Sequence, residues 1–99
     1  MKNLPNDIIK EIEIRFALDT HQAIHLITKF VERLEYIESS RVVRCVLYLS
    51  NDLKSLRENL DYAELDPRDV MFWAEYDMSD ASNHKRVRNF TKPFPDYTI

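Results

Sequence analysis

Apolar residues recur every three or four positions along the chain from Ile8 to Tyr76. This spacing is the period of an amphipathic α-helix, whose apolar face packs against a core. It is clearest in Thr20–Glu38, and the pattern predicts a helix over that range. Its apolar residues share one face: Ala23, Ile24, Ile27, Phe30, Val31, Leu34 and Ile37.

A helix is also predicted over Asn6–Leu18, because Pro5 suits the first turn and Ile8, Ile12 and Phe16 follow at four-residue intervals. The stretch Glu11–Phe16 also alternates as a strand does. A lone strand has no partner, and no second convincing strand follows, so the helix is favoured.

Pairs of residues that favour helix caps divide the remaining helices. Asp19-Thr20 precedes Thr20–Glu38, and Ser39-Ser40 precedes the next helix. Asp66-Pro67-Arg68-Asp69 is a strong start for a short helix that ends near Asp77, since Asp66 caps it and Pro67 takes its first position.

The stretch Ser40–Leu65 has two interpretations. Its apolar residues step alternately by four and three, as they do along one long helix with a continuous seam. Ser50-Asn51-Asp52 interrupts that seam with side chains that compete for backbone hydrogen bonds, and we favour a break near Asn51. Apolar residues cover more than half of the circumference of a helix over Val42–Leu49. This predicts a central helix with Arg41, Arg44 and Tyr48 outside.

The end of the chain is predicted to be non-helical. Met78–His84 is polar and indicates a loop, and two prolines exclude a helix after it. Its aromatic residues suggest an extended segment along the helices, anchored by Phe90 or Phe94. The predicted fold is therefore all-α: a small bundle of four or five helices (residues 1–78), with a loop and an extended, aromatic-containing C-terminal tail (residues 79–99) docked on the outside of the same single domain.

The composition of the chain argues against several classes of functional site. The chain has no glycine, which argues against phosphate-binding loops and the Gly-x-Ser-x-Gly nucleophile elbow. It has no apolar stretch long enough to span a membrane, so no membrane association is expected. The one cysteine, Cys45, lies among apolar neighbours, where we expect it to be buried and inert in a cytoplasmic protein without disulfides. We predict no cofactor and no enzymatic activity.

His21 and His25 are four residues apart, a spacing that can bind a metal, and Glu32 lies about two turns further along the same face. Zinc sites usually need three or four ligands, and metalloprotease helices carry a glutamate where this chain has Gln22. Two solvated histidines are the favoured interpretation, and the metal site is kept as an alternative.

The net charge of −3 is unevenly distributed. Asp61–Asp80 is strongly acidic, whereas the stretch from Ala81 to the end is basic and includes the run His84–Arg88. The basic tail could fold back on the acidic helix, or the acidic face could meet a basic partner. Binding of nucleic acid is disfavoured, because the candidate recognition helix Asp52–Leu65 carries an excess of acids.

Phe72 and Trp73 point about 100° apart on a helix, so the two cannot both face one core. Aromatic side chains within a ring of charge are typical of protein interfaces. We therefore predict a non-enzymatic protein-binding module, of the immunity, antitoxin or adaptor type, with a basic partner protein. The alternatives are a homodimer, through the arc Val42–Leu49 or through the seam that continues to Ala63, and a metal-binding protein through His21 and His25. The predicted partner-binding residues are Asp66, Asp69, Phe72, Trp73, Glu75, Tyr76 and Asp77.

Overall fold

A computed structural model describes residues 4–34, 38–79 and 84–99. Within these ranges the chain forms five α-helices and a short antiparallel sheet, which confirms the predicted all-α bundle. The elements are α1 (Asn6–Phe16), a 3₁₀ turn (Ala17–Asp19), α2 (Thr20–Arg33), α3 (Ser39–Leu49), α4 (Leu53–Leu65), α5 (Pro67–Glu75), β1 (Tyr76–Asp77) and β2 (Lys85–Arg86). None of the described helices has the length and apolar content needed to cross a bilayer.

Helix α3 is the centre of the core, as predicted. It packs against α1, α2, α4 and α5, and its residues from Val42 to Leu47 are all buried. The expectation that Arg44 lies outside is wrong, because Arg44 is buried between α1 and the end of the chain. Most of the other core residues come from the predicted apolar stripes: Ile8, Ile12, Phe16, Ala23, Ile27, Phe30, Val31, Leu56, Leu60, Ala63, Val70 and Ala74. Met71, which the predicted stripes did not include, is buried as well.

Helix α1 ends at Phe16, two residues before the predicted end. Ala17 adopts φ 45° and ψ −108°, which turns the chain so that α2 packs back on α1. The predicted cap at Asp19-Thr20 does not form: the Thr20 hydroxyl donates to the carbonyl of Ala17 (2.6 Å). The pattern missed this turn because positive φ is ordinarily signalled by glycine, which the chain lacks.

Helix α2 ends at Arg33, before the predicted end at Glu38. Leu34 is extended (φ −83°, ψ 115°), and the chain returns to begin α3 at Ser39. The expected helical residues 35–37, including Ile37, lie outside the described residues. No proline or glycine marks this helix end, and the apolar stripe continues past it, so local sequence gave no stop signal. Helix α3 begins at Ser39, so Glu38, and not a serine, occupies the N-cap position, and its side chain makes no capping hydrogen bond.

The predicted break between α3 and α4 is confirmed. Ser50 leaves the helical conformation, and Asp52 caps α4 by accepting from the Ser55 backbone N–H (2.7 Å). The Ser55 hydroxyl accepts in return from the Asp52 N–H (3.1 Å), which completes a capping box. Asn59 donates to the Leu49 carbonyl (3.3 Å) and satisfies part of the open end of α3.

Helix α5 begins as predicted, with Asp66 accepting from the Arg68 N–H (3.0 Å) and Pro67 in the first turn. It ends at Glu75 instead of Asp77, because Tyr76 and Asp77 pair with Arg86 and Lys85 in a two-stranded sheet. The sequence did not predict this sheet. Of the predicted loop Met78–His84, residues 80–83 lie outside the described part of the chain.

The C-terminal segment, residues 87–99, packs on the outside of the bundle as predicted, but it closes on itself instead of running straight. Arg88 forms a β-bridge with Thr98, and the Asn89 N–H donates to the Tyr97 carbonyl (2.7 Å). Phe90 is fully buried, which confirms it as the anchor. Its ring stacks on Tyr97 with the centroids 5.0 Å apart.

Candidate functional site

Two aromatic side chains meet on the surface where α4 and α5 adjoin. Trp73 is 37% exposed and Tyr62 is 50% exposed. Their rings make an edge-to-face contact with centroids 5.5 Å apart. Leu65, one turn after Tyr62 in α4, is 86% exposed. Because α5 buries Val70 and Ala74 in the core, Trp73 is left on the outer side of that helix.

Three acidic residues lie close to Trp73 in the chain. Asp69 is exposed and lies one helical turn before Trp73. We call Tyr62, Leu65, Asp69 and Trp73 the Trp73 surface. Asp66 and Asp77 stand at the two ends of α5 and its following strand.

The charge of both flanking aspartates is stabilised locally. Hydrogen bonds from Arg68 hold the pKa of Asp66 below its usual range, and hydrogen bonds from Ser79 do the same for Asp77. Arg68 forms an ion pair with Asp66 (2.9 Å), so part of that charge is compensated within the chain. Asp69, by contrast, lies in the first turn of α5, where a negative charge complements the helix dipole.

Glu75, which the sequence places in the partner-binding set, is 1% exposed and lies inside the molecule. Its carboxylate accepts two hydrogen bonds from the Arg41 guanidinium (2.6 and 3.1 Å) and one from the Phe90 N–H (2.9 Å). Arg86 approaches the same carboxylate at 3.5 Å. The bond with Glu75 raises the pKa of Arg41 above its usual value. Glu75 therefore joins α3, α5 and the C-terminal segment inside the molecule.

Phe72 and Tyr76 lie neither on the outer face with Trp73 nor inside the molecule with Glu75. Both are half-buried, and their rings pack with centroids 4.8 Å apart. His84 makes an edge contact with Phe72 at 5.3 Å. The predicted set is thus divided: Trp73 and Asp69 share the outer face, Phe72 and Tyr76 pack toward the short sheet, and Glu75 is internal.

The basic run near the end of the chain folds back on the acidic helix, as the first of the two charge interpretations expected. Arg88 donates to the carbonyl of Ala74 (2.5 Å) and lies 4.6 Å from the centre of the Tyr48 ring. The Glu75 carbonyl accepts from the N–H groups of Val87 (2.8 Å) and Arg88 (3.0 Å). These contacts hold Val87 and Arg88 against the bundle, whereas His84, Lys85 and Arg86 are exposed.

A second buried ion pair was not foreseen. The Arg44 guanidinium donates two hydrogen bonds to Asp7 (2.9 and 3.1 Å) and one to the Phe90 carbonyl (3.2 Å). Asp7 also accepts from the Phe94 N–H (3.1 Å). Burial alone would raise the pKa of Asp7. The hydrogen bonds from Arg44 and Phe94 lower it by more, so the net pKa lies below the ordinary value. The sequence did contain one signal for this ion pair, which is the arginine at position 44 within the otherwise apolar run Val42–Leu47.

The other candidate chemistry involves residues outside this surface. Cys45 is fully buried, and burial together with the charge of Glu75 raises the pKa of its thiol, which leaves it protonated and unreactive. His21, His25 and Glu32 are all exposed. Across residues 4–34, 38–79 and 84–99, no group of three or more His, Cys, Asp or Glu side chains is placed to hold a metal ion.

Comparisons with known proteins give no further assignment: no family model, no curated protein and no solved structure matches the chain significantly.

Proposed function

We propose that this chain is a non-enzymatic protein-binding module and that its Trp73 surface docks on a basic surface of another protein. The observation that carries the proposal is the edge-to-face pair of Trp73 and Tyr62, half-exposed next to the uncovered Leu65. Large aromatic side chains at the centre of an interface supply much of its binding energy when a partner removes them from water.

The charges around the pair define the kind of partner. Asp66, Asp69 and Asp77 outnumber the one neighbouring guanidinium, Arg68, which pairs with Asp66, so the region has a net negative charge and a negative potential. Such a potential attracts a basic protein, speeds its association and makes the affinity depend on salt. This is the physical profile of small immunity proteins, antitoxins and adaptors that bind basic targets.

The homodimer alternative has weaker support than the binding module. Within the predicted arc Val42–Leu49, residues Val42–Leu47 are buried against neighbouring helices of the same chain, and α3 and α4 are separate helices. No observation favours the metal-binding alternative over solvated histidines.

The proposal is tested by affinity capture with matched baits. Wild-type protein is compared with Trp73→Ala and with Asp69→Asn, and the captured proteins are quantified by mass spectrometry. Leu18→Ala and Glu13→Gln are the controls, because they remove a fully exposed leucine and an exposed acid near the α1–α2 turn.

We expect one basic protein to be captured by wild type and by both controls. Trp73→Ala should weaken its binding by more than about tenfold. Asp69→Asn should mainly slow association and flatten the dependence of affinity on salt. Equal capture by the Trp73→Ala bait, or an affinity for the captured protein that does not change with salt, would contradict the proposal.

A further inference from the structure

A groove between α2 and α4 carries positive charge in this acidic protein. Its volume is about 340 Å³. One side is a row on α2, with His25, Lys29 and Arg33 at four-residue intervals, about 6 Å per step. Arg57 and Asp61 line the other side from α4.

The charges of the groove are unequally compensated. Arg33 forms an ion pair with Glu64 across the two helices. Lys29 and Arg57 form no ion pair with any described residue within hydrogen-bonding range. Asp61 is the opposing negative charge in the lining.

The groove also has an apolar side. Leu60 is buried and Leu26 is half-buried, and both contribute to its lining. A lining of apolar side chains with a few placed charges is typical of sites for small organic ligands, and this volume suits a small one.

We propose that this groove binds a small phosphate monoester, with the phosphate between Lys29 and Arg57 and an apolar body over Leu26 and Leu60. A phosphate monoester carries about −1.5 to −2 charges and three acceptor oxygens at pH 7, so it can engage Lys29 and Arg57 together, whereas a carboxylate offers one charge and two oxygens. Arg57 offers a planar fork of donors suited to phosphate oxygens, and Lys29 adds a second positive charge.

The test uses phenyl phosphate as the probe, titrated into the full chain at low salt by calorimetry. We expect saturable binding of one molecule per chain, at least about fivefold tighter than that of inorganic phosphate, because the ring buries apolar area, and tighter than that of benzoate. Lys29→Gln and Arg57→Gln should each raise Kd by about tenfold. Asp61→Asn should lower Kd, because it removes a like charge from the site.

Lys10→Gln is the matched control, because it removes an exposed lysine on α1, away from the groove. The Asp61→Asn variant guards against misfolding, since a damaged protein does not bind more tightly. Absence of saturable binding, equal binding of inorganic phosphate, an equal loss in Lys10→Gln, or no tightening in Asp61→Asn would each overturn the proposal. None of these residues belongs to the Trp73 surface, so either proposal can fail without the other.

Discussion

Ala17 is the position where the backbone departs most from what its residue type prefers. In the described part of the chain it alone has a positive φ, with φ 45° and ψ −108°. There the Cβ of any residue other than glycine crowds its own backbone, at a cost of about 1–3 kcal/mol. The turn persists because the packing of α1 against α2 requires it.

Replacing Ala17 with glycine should therefore stabilise the protein. Relief of the strain outweighs the extra entropy that glycine gives the unfolded chain, and we expect the free energy of unfolding to rise by about 1 kcal/mol. Urea denaturation measures the change. The reference is the pair of variants Glu13→Ala and Glu13→Gly at an exposed position of α1. There glycine should lower the free energy of unfolding by about 1 kcal/mol relative to alanine. A similar loss at both positions would show that Ala17 is unstrained.

Arg41 forms ion pairs with two carboxylates, one buried and one exposed, so the contributions of the two pairs to stability can be compared. It donates to buried Glu75 and, at 2.9 Å, to exposed Glu38. Removing one partner of a buried pair leaves an uncompensated charge, whereas an exposed pair is well solvated either way.

Glu75→Gln should lower the free energy of unfolding by about 2–4 kcal/mol, and Glu38→Gln by less than about 1 kcal/mol. Thermal or urea unfolding of both variants measures the difference. Equal effects would mean that burial of Glu75 has little energetic consequence.

Among the structural elements, the C-terminal segment depends most on buried charge. Asp7 on α1 binds Arg44 and the Phe94 N–H, so its carboxylate form is the one that holds the segment. The pKa of Asp7 is lowered in the folded protein. The stabilisation is therefore complete above its ordinary pKa of 3.8 and is lost as the pH falls through the lower folded value.

The difference in unfolding free energy between wild type and Asp7→Asn should consequently be largest near neutral pH and shrink in acid. Denaturation at a series of pH values between about 7 and 2 measures it. Glu13→Gln, an exposed carboxylate on the same helix, is the control and should differ from wild type by a small, constant amount. A difference for Asp7→Asn that grew in acid would contradict the assigned role.

The starts of helices were more predictable than their ends. The caps at Asp52 and Asp66 use side chains within three residues of the groups they bind, so a short window of sequence contains the signal. The end of α2 and the pairing of β1 with β2 depend on segments that approach only in the folded chain. Local patterns do not contain that information.

For the molecule as a whole, the features of the candidate site that depend on local sequence were predictable, and those that depend on contacts between distant segments were not. The divergence of Phe72 and Trp73 follows from helix geometry alone, and Trp73 is indeed the more exposed of the two. The burial of Glu75 was not predictable, because its partner Arg41 lies 34 residues away on another helix. The Arg44–Asp7 pair, 37 residues apart, was missed for the same reason.

Phe90 connects the C-terminal segment to the rest of the molecule and tests whether the chain unfolds as one unit. Its ring is fully buried, its N–H is bound by Glu75 and its carbonyl by Arg44. Because these contacts reach α3 and α5, the segment and the helices should lose structure together.

Phe90→Ala should lower the free energy of unfolding by about 3–5 kcal/mol, a large share of the 5–15 kcal/mol typical of a domain. Phe94→Ala, at a half-buried position, should cost less. The loss should be the same by far-ultraviolet circular dichroism, which reports the helices, and by amide exchange at Asn89, which reports the segment. Exchange that accelerates at Asn89 while the helical transition stays unchanged would show instead that the segment detaches from a bundle stable without it.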